Sequence, residues 1–185
     1  MFKVVITDLV ASPAEPEETI FAGLAKVECL QARSVAELEG RIEEADAIIV
    51  FHEVSLPAGI IDRLEQCRVI VRGGVGYDAL DFRRAAERGI PVCNVPDYGT
   101  TDVADHAIGL MLGLTRGIVQ VHNKIASDPV DNWNTIDITM MRRLRGTTFG
   151  IIGCGRIGTA VGLRAKAFGM KVIFYDPYLP DGTDQ

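Results

Sequence analysis

The chain has 185 residues, 48% of them hydrophobic, with a mean hydropathy of +0.18 and a formal net charge of −6. That apolar content excludes an intrinsically disordered chain. The length suits one ordinary domain or two small ones, burying roughly two-thirds of the unfolded surface. The negative balance argues against a nucleic-acid partner, since such binding rests on a basic surface.

The charge is unevenly spread. Residues 1–65 hold 13 acids and 5 bases, whereas residues 66–185 hold 12 acids and 14 bases. An anionic ligand is therefore better matched by the second part. Cys29, Cys67, Cys93 and Cys154 form neither a metal knuckle nor a CxxC redox pair. Their apolar settings predict buried free thiols. The first apolar run follows no signal-peptide pattern, and no run approaches the roughly 20 residues of a membrane span. The expectation is a cytoplasmic protein with no membrane segment and no metal site.

In chain order, β-branched runs at 3–7, 26–29, 47–51, 69–72, 91–94, 148–153 and 171–175 predict strands. Most are continuous apolar stretches, as strands covered on both faces require. Helix starts fall between them. Ser12-Pro13-Ala14-Glu15 and Ser34-Val35-Ala36-Glu37 read as capping boxes. Ser55-Leu56-Pro57 opens a third helix, and Asp81 to Arg88 forms a fourth that Gly89 ends. A long helix is expected from 102 to 124, with Val103, Ala107, Leu110, Leu114, Ile118 and Val121 in one stripe. Residues 127–138 read as a loop or arm. Strand-helix alternation of this kind predicts an α/β fold with a parallel sheet, broken near residues 97–101.

Two glycine-rich loops carry the chemistry. Gly153-Cys154-Gly155-Arg156-Ile157-Gly158 follows an apolar strand and opens a helix, and Asp176 ends the next strand 18 residues after Gly158. That is the context of a dinucleotide fingerprint. Gly153 permits the turn, Gly155 lets a pyrophosphate approach, and Gly158 lets the helix pack on the strand. The N–H groups of the first helical turn face the phosphates. Asp176 would accept from ribose hydroxyls and repel a 2′-phosphate, which favours NAD over NADP. The bland alternative is a glycine turn with no ligand. The second loop, Arg72-Gly73-Gly74-Val75-Gly76-Tyr77-Asp78, is either an anion-binding concavity or a tight βα turn. Arg72 suits bidentate carboxylate binding or a surface ion pair. His52 and Glu53 end the third strand at the ligand edge, where His52 is a substrate contact or a structural histidine.

Taken together, these segments resemble the NAD-dependent D-2-hydroxyacid dehydrogenases over nearly the whole chain. The run VRGGVGYDALD (71–81) looks like that family's substrate loop. The run VCNVPDYGTTDVADHAIGLMLG (92–113) looks like its crossover, and LRGTTFGIIGCGRIG (144–158) like its NAD fingerprint. Phe51-His52-Glu53 and Val71-Arg72-Gly73 are most similar to the C-terminal-binding-protein branch. The resemblance implies a flavodoxin-like substrate domain at 1–100, a crossover helix and dimerisation arm at 101–145, and the start of a Rossmann domain at 146–185. It implies that His52 and Arg72 flank a 2-oxo acid whose carboxylate takes the amides of Gly74, Val75 and Gly76. Val75 and Val103 match positions lining the nicotinamide. Arg156 and Ile157 would cover the pyrophosphate, and Asp176 the ribose. Helix 102–124 and arm 127–145, with Trp133, match the region that builds a homodimer.

The family's catalytic Arg, acid and His lie beyond its second Rossmann strand, and this sequence runs nine residues past Asp176. The expectation is therefore an incomplete Rossmann unit, a strand 171–175 whose apolar edge needs a partner, and no turnover by the 185 residues alone. His106 and His122 are not given the catalytic role, and His52 assists substrate binding at most. The competing function is a non-catalytic, dinucleotide-sensing or partner-binding module of corepressor type. A third is a purely structural dimerisation domain.

Overall fold

The computed structural model describes residues 1–133 and 141–180, and the chain divides into two compact units, 1–98 and 99–185. The first unit holds five parallel strands: β1 (Phe2–Ile6), β2 (Ala25–Cys29), β3 (Ala47–Val50), β4 (Val69–Arg72) and β5 (Val92–Asn94). Their spatial order is β2-β1-β3-β4-β5. This is the flavodoxin-like, doubly wound arrangement. Each crossover carries a short helical segment: α1 (Glu15–Ile20), a 3₁₀ turn (Val35–Leu38), α2 (Ala58–Ile61) and α3 (Phe82–Glu87). The core is Val5, Leu38, Ile42, Ile48, Val50, Leu56, Ile61, Leu64 and Ile70, all nearly sealed from solvent. The inner strands β1, β3 and β4 carry the buried residues, as strands covered on both faces do, whereas β2 and β5 bury none.

Local signals were realised unevenly. Asp81 caps α3, its Oδ1 accepting from the Arg84 amide at 2.9 Å. Gly89 follows in the left-handed region at φ +71°. The Ser34 box closes only a 3₁₀ turn: Ser34 Oγ donates to Glu37 Oε1 at 2.9 Å, and no side chain caps the backbone. The Ser12 box does not form. Helix α1 begins at Glu15 with Pro16 in its first turn, because a proline there forfeits no helical hydrogen bond. The thiols are free, but none is fully buried, and Cys93 is exposed. Burial raises the Cys67 and Cys29 pKa values, so neither is an activated nucleophile.

The second unit pairs β6 (Thr148–Ile152) with β7 (Lys171–Tyr175) in parallel, joined through α7 (Arg156–Ala167). Before them run α4 (Thr100–Thr115), α5 (Ile118–Ser127) and α6 (Pro129–Asn132). The single helix expected over 102–124 is two helices. Gly117 sits at φ +64°, which ends the regular turn and starts α5. The expected arm begins as α6, with Asp128 Oδ1 accepting from the Val130 and Asp131 amides at 3.1 Å each. The rest of that arm lies partly outside the described residues.

The stripe read from 103 to 121 is not the face that packs within this unit. Helix α4 buries Ala104 and Ile108 against Val161 and Ala165 of α7, with Ala107, Met111 and Leu112 alongside. Arg164 of α7 donates to Asp105 Oδ1 at 2.5 Å. Val103, Leu110, Leu114 and Ile118 are exposed. The helix is apolar on two faces, so a periodicity reading could select the outer one. No helix among the described residues is long and apolar enough to cross a membrane.

Candidate functional site

The carboxyl ends of β1, β3, β4 and β5 meet at one edge of the first unit, which is where ligands bind open parallel sheets. The loop after β4 is stitched to its neighbours by backbone bonds. Gly73 N donates to Val50 O at 2.9 Å, and Val95 N donates to Gly74 O at 3.0 Å. Asn94 Nδ2 donates to Val75 O at 2.8 Å. Gly73 is needed for close approach to the Phe51 ring, whereas Gly74 meets only the mobile end of a side chain. A Cβ at Gly73 would lie 2.5 Å from the Phe51 ring, and one at Gly74 would lie 2.0 Å from Arg72 Nη1.

The three amides expected to hold a carboxylate are not equivalent. Gly74 N donates to Arg72 O at 2.8 Å, so it closes the turn instead of pointing at a ligand. The exposed amides of Val75 and Gly76 find no acceptor among the described residues. Arg72 is half-buried, folded over Gly74, and forms no ion pair with a described carboxylate. Arg72 and the two amides without an acceptor thus belong to one glycine-rich loop, a composition that suits an anion. His52 is exposed at the end of β3.

Sequence reasoning missed Asp8. This residue follows β1, is fully buried, and accepts from Phe51 N at 2.8 Å and Glu53 N at 2.6 Å. Thr7 Oγ1 donates to it at 2.7 Å. The available signal was an acid directly after an apolar strand, at the same sheet edge as His52.

In the second unit, Gly153 turns at φ +89°, and its N–H donates to Tyr175 O at 2.8 Å. A Cβ at Gly158 would stand 2.1 Å from Gly153 O, so only glycine lets α7 approach β6. Gly155 has open space where a Cβ would project. Arg156 and Ile157 are exposed in the first turn of α7, whose N–H groups have no intrahelical acceptor. Asp176 Oδ2 accepts from Cys154 N at 2.8 Å, and Oδ1 accepts from Tyr178 N at 2.9 Å. It braces the glycine loop and retains lone pairs for hydroxyl donors. Val103 is exposed in the first turn of α4. His106 and His122 are exposed on α4 and α5. No hydrogen bond joins a histidine to a carboxylate among the described residues. No group of His, Cys, Asp and Glu among them is placed to hold a metal ion.

A flavodoxin-like sheet with a glycine-rich loop at its edge, followed by a GxGxxG βαβ unit, defines a protein class that comparison identifies. Residues 4–172 match the model of the D-isomer specific 2-hydroxyacid dehydrogenase catalytic domain, and the chain belongs to this family of hydroxyacid oxidoreductases. It is similar to C-terminal-binding protein 1 of Caenorhabditis elegans, at 36% identity over 91% of this chain and 24% of that protein. It is similar to D-3-phosphoglycerate dehydrogenase of Methanocaldococcus jannaschii, at 37% identity over 97% of this chain and 33% of that one. Among solved structures, D-lactate dehydrogenase of Aquifex aeolicus, complexed with NAD and lactic acid, aligns with a TM-score of 0.84 and 25% identity. That match covers 96% of this chain and 52% of the other. The chain thus spans a quarter to a third of the curated relatives it matches.

Proposed function

We propose that residues 1–100 bind the carboxylate of a 2-hydroxy or 2-oxo acid, and that residues 146–185 begin a domain that binds NAD. The carrying observation is the pair of amides, Val75 and Gly76, beside Arg72, none of which has a partner acceptor or carboxylate among the described residues. Arg72 supplies the charge and planar fork that match a carboxylate. His52 contacts the acid from the end of β3 and is a binding group only. Val103, in the first turn of α4, lines the nicotinamide.

Gly153, Gly155, Arg156, Ile157 and Gly158 hold the pyrophosphate. The open space at Gly155 and the free turn of α7 fit that group. Asp176 receives the adenosine ribose, and its charge disfavours a 2′-phosphate, which selects NAD. A relative in structure, a Sinorhizobium meliloti glyoxylate/hydroxypyruvate reductase, is NADPH-dependent, so NADPH is the control ligand. When bound, NAD supplies the hydride acceptor. The catalytic roles belong to no residue of this chain, and the 185 residues alone do not turn over. The 36% identity to C-terminal-binding protein 1 favours a second reading, a non-catalytic dinucleotide-sensing or partner-binding module.

The protein works as a cytoplasmic homodimer, with no nucleic-acid or membrane partner. Leu110, Leu114 and Ile118 form the α4–α5 part of the contact, and the 127–145 arm completes it. Calorimetric titration with oxamate, an unreactive 2-oxo acid mimic, tests the substrate reading. Binding that Arg72→Ala weakens supports it, and no binding by the parent chain overturns it. NAD-dependent oxidation of D-lactate or D-glycerate by the purified chain would overturn the absence of turnover.

A further inference from the structure

The buried carboxylate of Asp8 is placed to act on the exposed edge through the backbone. Both it and Thr7 have no measurable exposure. Asp8 forms no ion pair among the described residues, so its charge is balanced only by the donors Thr7 Oγ1, Phe51 N and Glu53 N. Burying an unpaired charge is costly unless such bonds are complete. The two amides are not neighbours. They flank His52, one on each side, and each takes a different oxygen of the same carboxylate. The turn at 51–53 is therefore held at two points, with His52 projecting between them into solvent. An apolar residue at position 8 would fill the space at lower cost, but it would leave both amides unsatisfied and the turn free to rotate.

We propose that Asp8 is the positioning residue of His52: its carboxylate clamps the Phe51 and Glu53 amides and so aims the imidazole at the acid bound by the 72–76 loop. This rests on the substrate reading above. The Phe51 end of the clamp also fixes the ring that packs on Gly73. One carboxylate thereby sets the backbone beneath both His52 and the anion loop.

The test combines amide hydrogen exchange with oxamate titration of the full chain. In the parent, the Glu53 amide should exchange slowly even though the residue is exposed. Asp8→Asn keeps an oxygen for Phe51 but turns an amide group towards Glu53. It should speed Glu53 exchange at least about tenfold, leave the Val5 and Ile70 amides unchanged, and raise the oxamate Kd about tenfold. His52→Ala should raise Kd similarly in the parent and by less than about twofold in the Asp8→Asn background, because coupled residues are non-additive. Unchanged Glu53 exchange, or independent multiplying effects of the two substitutions, would overturn the proposal. If Asp8→Asn does not fold, the parent decides: slow Glu53 exchange supports the clamp and fast exchange overturns it. A parent that binds no oxamate overturns the substrate reading, and the exchange rates alone then judge the clamp.

Discussion

The guanidinium of Arg72 lies over Gly74, so close that a Cβ on residue 74 would come within 2.0 Å of Nη1. The clash is with the far end of a flexible side chain, which can swing away at little cost. Gly74→Ala should therefore change stability by less than about 0.5 kcal/mol. Oxamate affinity should nonetheless fall about tenfold, because the cation no longer sits beside the Val75 and Gly76 amides. Thermal unfolding and calorimetry separate the two effects.

The glycines of the second loop should fail in different ways. Gly158→Ala sets a methyl against the Gly153 carbonyl, which is backbone and cannot yield cheaply. A loss of about 1–3 kcal/mol is expected, in the range of overpacked sites. Gly155→Ala meets nothing within 4 Å and should leave unfolding unchanged while weakening NADH binding. Denaturant titration alongside ligand-observed NMR checks the contrast.

Far from the sites, Glu43 gives a pH signature. Burial pushes its carboxyl up, but the amides of Gly40 and Glu43 and the Arg63 guanidinium outweigh this and hold the pKa at about 2, against an ordinary 4.5. A lowered folded-state pKa contributes stability that is present above pH 4.5 and lost as pH falls towards 2. Glu43→Gln should therefore be less stable than the parent at pH 6, with a narrower gap at pH 3 that closes only below about pH 2. Urea unfolding at the two pH values measures it.

The outer face of α4 should carry self-association. Leu110 and Leu114 are 58% and 72% exposed, although they lie on a helix whose other face is packed. Leu114→Glu should shift sedimentation from dimer to monomer without altering far-UV circular dichroism. A parent chain that sediments as a monomer would contradict the dimer.

Much of the fold was legible because continuous apolar strands such as Val69–Arg72 and caps such as Asp81 act locally. The glycine loop was legible because the steric needs at Gly153 and Gly158 leave few alternatives to glycine. Other features depend on what is distant in sequence. Asp8 acts on residues more than forty positions away. The Gly74 amide turns inward because Arg72 O lies beneath it. The inner face of α4 is chosen by Val161 and Ala165, which no periodicity within α4 reveals.

The central claim is that one chain carries a carboxylate loop and a dinucleotide loop. Backbone amide NMR shifts, followed as NADH and oxamate are added, test it most directly. Two perturbed groups are expected, Val75 and Gly76 with oxamate, and Gly153 to Gly158 with Asp176 on NADH, with smaller shifts for NADPH. Shifts that miss both loops, or spread evenly over the chain, would contradict it.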